Sequence, residues 1–406
     1  FNPEAEKQWI AVAGLKKISG NAPEDSTYGL VKTWNEAGLA KYWTVAAPGS
    51  SIYSSKVNPE TGEAFNGTSS GTSMAAPHVA GAMGVLMSRY KDMTAPQVRD
   101  VMFTTANHKN PDGTDMDGWA NVDGSTPAAG EVSDRMGWGV PDLEKGMYGP
   151  GQLLGAFDYD MSTTPLDVWS NDITEAALKQ REAEDLAWME ATRNGTDITA
   201  GGAYELGESF VVNDGDDDAA NHIISEEDAK RLRAQYYAKR AAAIQERIDK
   251  GLYKGSLVKR GDGTLVMTGR NSYAGGTVVE GGSLYGFTES FGSAPVEVNG
   301  GQFGLIGSYT DTFTGKGLIS SAADQPAIQA DGDSAVLQKA QVVVNKGATY
   351  VVSAGEDVQA GSLEFKAGSQ VAVGSLSGDV FEKALAGESV TGSVTADEAI
   401  KGADQV

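Results

Sequence analysis

The sequence predicts an α/β unit holding part of a parallel sheet with its helices, then a helical hairpin insert, then a β-helix-like all-β stem. Three observations carry this reading. Glycine-bracketed apolar runs alternate with helical patterns over the first 150 residues. Two long, highly charged stretches of helical texture follow. Beyond Gly255, short alternating strands are punctuated by glycine turns. The expected segments are 1–150, a linker with a charged hairpin at 151–254, and a glycine-rich stem at 255–406.

Composition sets bounds on chemistry. The 406 residues contain no cysteine, which excludes disulfides, thiolate metal sites and a cysteine nucleophile. The formal net charge of −23 repels nucleic acid and anionic membranes at long range, and it also serves plain solubility. No run of about 18 apolar residues reads as a membrane helix. Nothing resembling a signal peptide precedes Phe1, so a processed or truncated product is expected.

In the first segment, residues 8–14 and 41–48 are apolar runs with little alternation, as in strands of a parallel sheet buried on both faces. From Ser73 to about Tyr90 the residues are small or apolar nearly all round, which predicts a core helix. Pro77 falls near its first turn, where little backbone bonding is lost. Thr94, Pro96 and Gln97 form a capping-box start for an amphipathic helix carrying Val98, Val101 and Met102. Residues 107–135 read as a polar loop. Within it, Asp112–Gly118 looks superficially like a calcium loop, but Gly113 stands where the first acidic ligand belongs. Calcium and an ordinary polar turn are both open there. Gly137-Trp-Gly-Val-Pro141 closes the segment.

The second segment contains a helical pattern from Thr174 to about Arg193 and another from Ser225 to Lys250. Glu246 and Lys250, four apart, support the latter. The acids of 214–218 between them read as a solvated loop. In the third segment, strand textures recur near 257–284, 296–305, 342–352 and 363–373. Few of them are joined by tight two-residue hairpins, so stacked parallel rungs are favoured over a sandwich.

The candidate chemistry centres on Ser73. A Gly71-Thr-Ser73 tripeptide opening onto a helix places a hydroxyl where unpaired amides and the positive end of the macrodipole favour developing negative charge. A base is harder to find among His78, His108 and His222. His78 lies five positions further along the same helix, about 140° round and one turn on. It does not reach back easily, and a structural hydrogen bond in the core is expected of it. His108 and His222 fall in loops.

The run Gly71-Thr-Ser-Met-Ala-Ala-Pro-His-Val-Ala-Gly81 resembles the nucleophile motif of subtilisin-like serine peptidases. Trp9-Ile-Ala-Val12, Ala40–Gly49, Gln97–Met102 and Gly137–Leu143 are similar to the autotransporter branch of that family. Leu257–Leu284 resembles the glycine-rich repeat of autotransporter passengers. The resemblance implies that 1–150 is the C-terminal part of a subtilisin-like peptidase domain, with Ser73 as the catalytic serine of an Asp–His–Ser triad. The family's acid and base precede its serine, and both would fall before Phe1. So would the asparagine of the oxyanion hole, a role not carried onto Asn66. The implied partners are a protein or peptide substrate, an upstream half bearing Asp and His, and a C-terminal translocator barrel, with no nucleic acid. The implied location is secreted or at the surface of a Gram-negative outer membrane.

Two functions compete on these grounds. One is a serine endopeptidase passenger acting through an acyl-enzyme on Ser73, inactive as this chain alone. The other is a surface adhesin or spacer whose stem carries the function and whose peptidase part is vestigial.

Overall fold

The structure, a computed structural model, describes residues 6–193, 211–212, 222–223, 226–307, 338–353, 359–374 and 396–401. The acidic stretch 214–218 lies outside these residues.

The first segment is built on a three-stranded sheet. Strands β1 (Ala11–Ser19) and β3 (Thr44–Pro48) run parallel, with Ala11 opposite Thr44 and Leu15 opposite Pro48. β2 (Thr27–Leu30) joins the other edge of β1 in antiparallel sense. Because side chains alternate along a strand, the two faces bury different sets. Val45 and Ala47 pack toward α1 (Thr72–Arg89) and α2 (Ala95–Thr104). Ala13, Leu15, Leu30 and Ala46 pack instead with Met116, Trp119 and Met136.

α1 buries Ala75, Val79, Ala82 and Leu86, a single stripe at helical spacing. The sequence predicts a helix covered all round, and the structure corrects this. Ala76, Ala80, Gly81 and Gly84 are exposed, as are Val85 at 41% and Met87 at 47%. The physical reason is that a three-stranded sheet and α2 cover one side of the helix only. α2 begins at the expected capping box, where the Thr94 amide donates to Gln97 Oε1 at 2.8 Å, and it buries Val98, Val101 and Met102.

Gly137 closes the segment for a steric reason. Its φ is +63°, and an added Cβ would lie 2.0 Å from the Thr44 carbonyl oxygen. Only glycine lets the chain cross β3 this closely, so that the Trp138 amide donates to Thr44 O at 2.9 Å.

The stem begins earlier than the glycine-rich texture. β6 (Ala156–Asp160) and β7 (Leu166–Trp169) lie inside the stretch the sequence assigns to the linker, yet they form the first rung. α3 (Ala176–Arg193), the short antiparallel pair β8 (Val211–Val212) and β9 (His222–Ile223), and α4 (Glu226–Asp249) follow before the second rung. That rung is β10 (Ser256–Arg260) with β11 (Thr264–Met267). Then come β12 (Thr277–Val279) with β13 (Ser283–Phe287), and β14 (Val296–Val298) with β15 (Gln302–Gly307). β16 (Gln341–Val344) with β17 (Thr349–Ser353) and β18 (Ser362–Phe365) with β19 (Gln370–Gly374) continue the stack.

Successive strands alternate between two sheets. One runs β6-β10-β12-β14-β16-β18, the other β7-β11-β13-β15-β17-β19, with β20 (Ala396–Lys401) added antiparallel to β19. Every other pairing in both sheets is parallel. Their inward faces are apolar: Leu257, Leu265, Leu284 and Phe303 are fully buried. Phe291, Phe303, Tyr350 and Phe365 form an aromatic column with centroid spacings of 4.9, 6.2 and 6.1 Å. This core is continuous with that of the first segment, since Tyr90, Val98 and Phe103 share one cluster with Leu153, Phe157, Trp169 and Leu257.

Candidate active site

α1 starts where two backbone segments touch. The Gly71 amide donates to Gly49 O at 2.9 Å, and a Cβ on Gly49 would lie 2.8 Å from Gly71 O. This contact fixes the end of β3 against the first turn of α1, with Gly71 as the N-cap. Ser73 is then the second helical residue and is exposed. A residue at that position has no carbonyl four places back for its amide, so amide and hydroxyl both belong to the open helix end. An anion formed there gains from the aligned peptide dipoles.

Beside Ser73 lies a cavity of about 420 Å³, walled by Ile52, Tyr53, Met74, Pro77 and His78. Its far wall is a hairpin the sequence reading does not include. β4 (Ile52–Val57) and β5 (Ala64–Ser69) pair from Ile52–Ser69 to Val57–Ala64. The signal for it is Asn58-Pro-Glu-Thr-Gly62, in which the Asn58 side chain accepts from the Glu60 amide at 2.9 Å and Gly62 takes φ +72°. Asn66 sits in β5 and accepts from Ser55 Oγ at 3.2 Å across the hairpin.

The histidines are placed apart in function. His78 shares the cavity wall with Ser73, but it is exposed rather than in the core, and its Nδ1 lies 2.9 Å from Met74 O. That bond directs the ring along its own helix. His108 stacks on Trp119 at 3.9 Å, with Nδ1 2.8 Å from Asp115 Oδ1. Burial lowers its pKa against the opposing pull of Asp115. Trp119 packs on the sheet face opposite α1, so the sheet stands between His108 and Ser73. His222 lies in β9, and its side chain is outside the described residues.

The calcium-like loop spends its carboxylates elsewhere. Asp112 accepts from the Thr114 amide and hydroxyl at 2.9 and 2.6 Å. Asp115 holds Lys109 at 2.6 Å as well as His108, and Asp117 faces Lys32 at 3.4 Å. Among the described residues no three His, Asp or Glu side chains converge as a metal site would require. The donor set does not fit calcium at this loop.

Residues 2–139 match the Subtilase family, and residues 257–285 match the Passenger-associated-transport-repeat. The chain is 31% identical over 175 residues to the serotype-specific antigen 1 of Mannheimia haemolytica, covering 43% of this chain and 16% of that protein. It is 40% identical over 134 residues to the extracellular serine protease of Serratia marcescens, covering 29% and 11%. With the neisserial autotransporter lipoprotein NalP of Neisseria meningitidis serogroup B it shares 27% identity over 218 residues, covering 51% and 18%. The chain thus spans less than a fifth of the length of each of these relatives. Residues 2–139, with Ser73 at the start of α1, thus carry a Subtilase-family segment, and residues 257–285, within the stem, carry a passenger-associated repeat.

Proposed function

We propose that this chain is the Ser73-bearing part of a serine endopeptidase passenger, and that a separate segment supplies the triad's acid and base. The observation that carries the reading is Ser73 itself, exposed at the start of α1 on the rim of a cavity. The proposed reaction is peptide hydrolysis. Ser73 Oγ attacks the scissile carbonyl carbon while an imidazole takes its proton, and the oxyanion is held by donors that include the Ser73 amide. The imidazole then protonates the leaving amine, and water releases the acyl group by the same route in reverse. The uncovered face of α1 supports a missing neighbour, because exposed Ala80, Gly84 and Met87 share one side of the helix and form an apolar strip suited to close packing.

On this reading residues 1–150 are the C-terminal part of the peptidase domain. Residues 151–254 carry the first rung of the β-helical passenger stem, β6 and β7, followed by a charged helical hairpin of α3 and α4, and 255–406 are the rest of that stem. Substrate is protein or peptide, and a C-terminal translocator belongs to the precursor. Passengers of this class are secreted or exposed at the Gram-negative outer surface.

A fluorophosphonate probe tests the proposal. This chain alone should not label. Mixed with the complementary subtilase half bearing Asp and His, it should label on Ser73, and Ser73→Ala should abolish the signal. Stoichiometric Ser73 labelling of the lone chain would overturn the shared-triad reading. No labelling of the mixed halves, once association is demonstrated, would leave the adhesin or spacer role.

A further inference from the structure

α3 touches both parts of the molecule with its most charged residues. Toward the subtilase segment, Arg181 pairs in bidentate fashion with Glu6, with Nη2 to Oε2 at 2.9 Å. Glu184 accepts from Lys41 Nζ at 2.5 Å and from the Tyr42 hydroxyl at 2.8 Å. Toward α4 and the turn that leads into the second rung, Asp185 accepts from Arg247 at 3.1 Å and from the Tyr253 hydroxyl at 2.8 Å. Glu175, immediately before the helix and 3% exposed, accepts the amides of Gly255 and Ala274, both at 3.0 Å. Those two amides belong to the entrances of the second and third rungs.

The chemistry of these contacts distinguishes them from decoration. Exposed ion pairs contribute little, because water competes for both partners. Here Glu175 and Asp185 are buried, and removing the partner of a buried charge leaves a group that water cannot reach. Each acid is also satisfied by donors from chain segments far apart in sequence. Breaking the subtilase segment away from the stem would therefore strand charges on α3 as well as open the shared apolar core around Phe157 and Trp169.

We infer that α3 is a keystone that makes the subtilase segment and the stem one cooperative folding unit, so that neither opens while the other stays folded. This holds whether or not Ser73 reacts.

Hydrogen–deuterium exchange of the full chain across a urea series tests it, reading amides of β1, β3 and α1 separately from those of β10–β13. In the wild-type chain the two sets should lose protection at one urea midpoint. In a chain carrying Glu175→Gln and Arg181→Gln the midpoints should separate, with the first set opening about 1 M earlier. Two distinct midpoints in the wild-type chain would overturn the inference. So would coincident midpoints in the double variant. If the double variant does not fold, Glu184→Gln, at a more exposed contact, replaces it, and a smaller separation in the same direction is expected. Coincidence in that variant likewise counts against the keystone.

Discussion

Arg89, the last residue of the helix that begins beside Ser73, pairs with Asp167 in the first rung of the stem. The Asp167 side chain is fully buried and also accepts from the Tyr159 hydroxyl at 2.8 Å and Trp169 Nε1 at 3.1 Å. The Arg89 guanidinium lies over the Tyr90 ring at 4.5 Å, and its Nε donates to Met147 O at 3.2 Å. One end of α1 thus presents the candidate nucleophile, and the other, roughly 24 Å away along the axis, is anchored in the stem.

Asp167→Asn should therefore destabilise the full chain by about 3 kcal/mol, at the lower end for a buried pair because Arg89 keeps partial access to water. Urea denaturation checks this. A loss under about 1 kcal/mol would mean that the Tyr159 and Trp169 bonds, which an amide oxygen still accepts, account for the site.

Ala80→Arg separates the two roles of α1. Ala80 is exposed on the face away from the sheet, so the lone chain should change stability by no more than about 0.5 kcal/mol. Reconstituted Ser73 labelling with the complementary half should be lost, because a long charged side chain would stand where that half packs. Unchanged labelling would place the complementary half elsewhere.

Gly137→Ala should cost more than about 2 kcal/mol, through both a positive φ and the collision with the Thr44 carbonyl. Thermal unfolding of the purified variant would show it, and a near-native melt would mean that β3 tolerates a shift at this crossing.

Lys259 gives a pH signature. It is fully buried in β10, with Nζ donating to Gly261 O at 2.8 Å and Gly281 O at 2.9 Å. Burial pushes its pKa down to about 8, against the attraction of Asp262 and Asp160. The unfolded chain then binds the proton more tightly than the folded one. The penalty is fully present below pH 8 and is relieved as pH rises toward the ordinary lysine value. Stability of the wild-type chain relative to Lys259→Met should accordingly rise between about pH 8 and about pH 10.5. A flat difference across that window would argue that the ammonium is already well solvated by the two carbonyls.

Much of the fold can be read in the chain because its signals are local. Thr94 and Gln97 announce α2 through a bond three residues long, and glycine turns announce the rungs. The motif around Ser73 likewise needs only contiguous residues. The first rung is harder. In Ala156-Phe-Asp-Tyr-Asp160 only Phe157 and Tyr159 face inward, and what identifies them as a rung is pairing with β10, a contact that no local pattern contains. The exposure of α1 was hidden for a related reason. Its outer face is made of residues such as Ala80 and Gly84 that suit a buried helix, and their surroundings depend on what else the sheet carries. His78 followed the same error, since its partner is the carbonyl of Met74 on its own helix rather than a group in a core.

The pairing of the first two rungs carries a kinetic consequence. Phe157 stands opposite Leu257, a hundred positions on, while Leu257 stands opposite Thr277 and Thr277 opposite Val296, twenty and nineteen positions on. Closing a longer loop costs more chain entropy before any contact repays it. The second, third and fourth rungs therefore nucleate on one another first. The first rung joins last, together with the subtilase segment anchored to it, so the step that completes the shared core is also the step that orders the Ser73 platform.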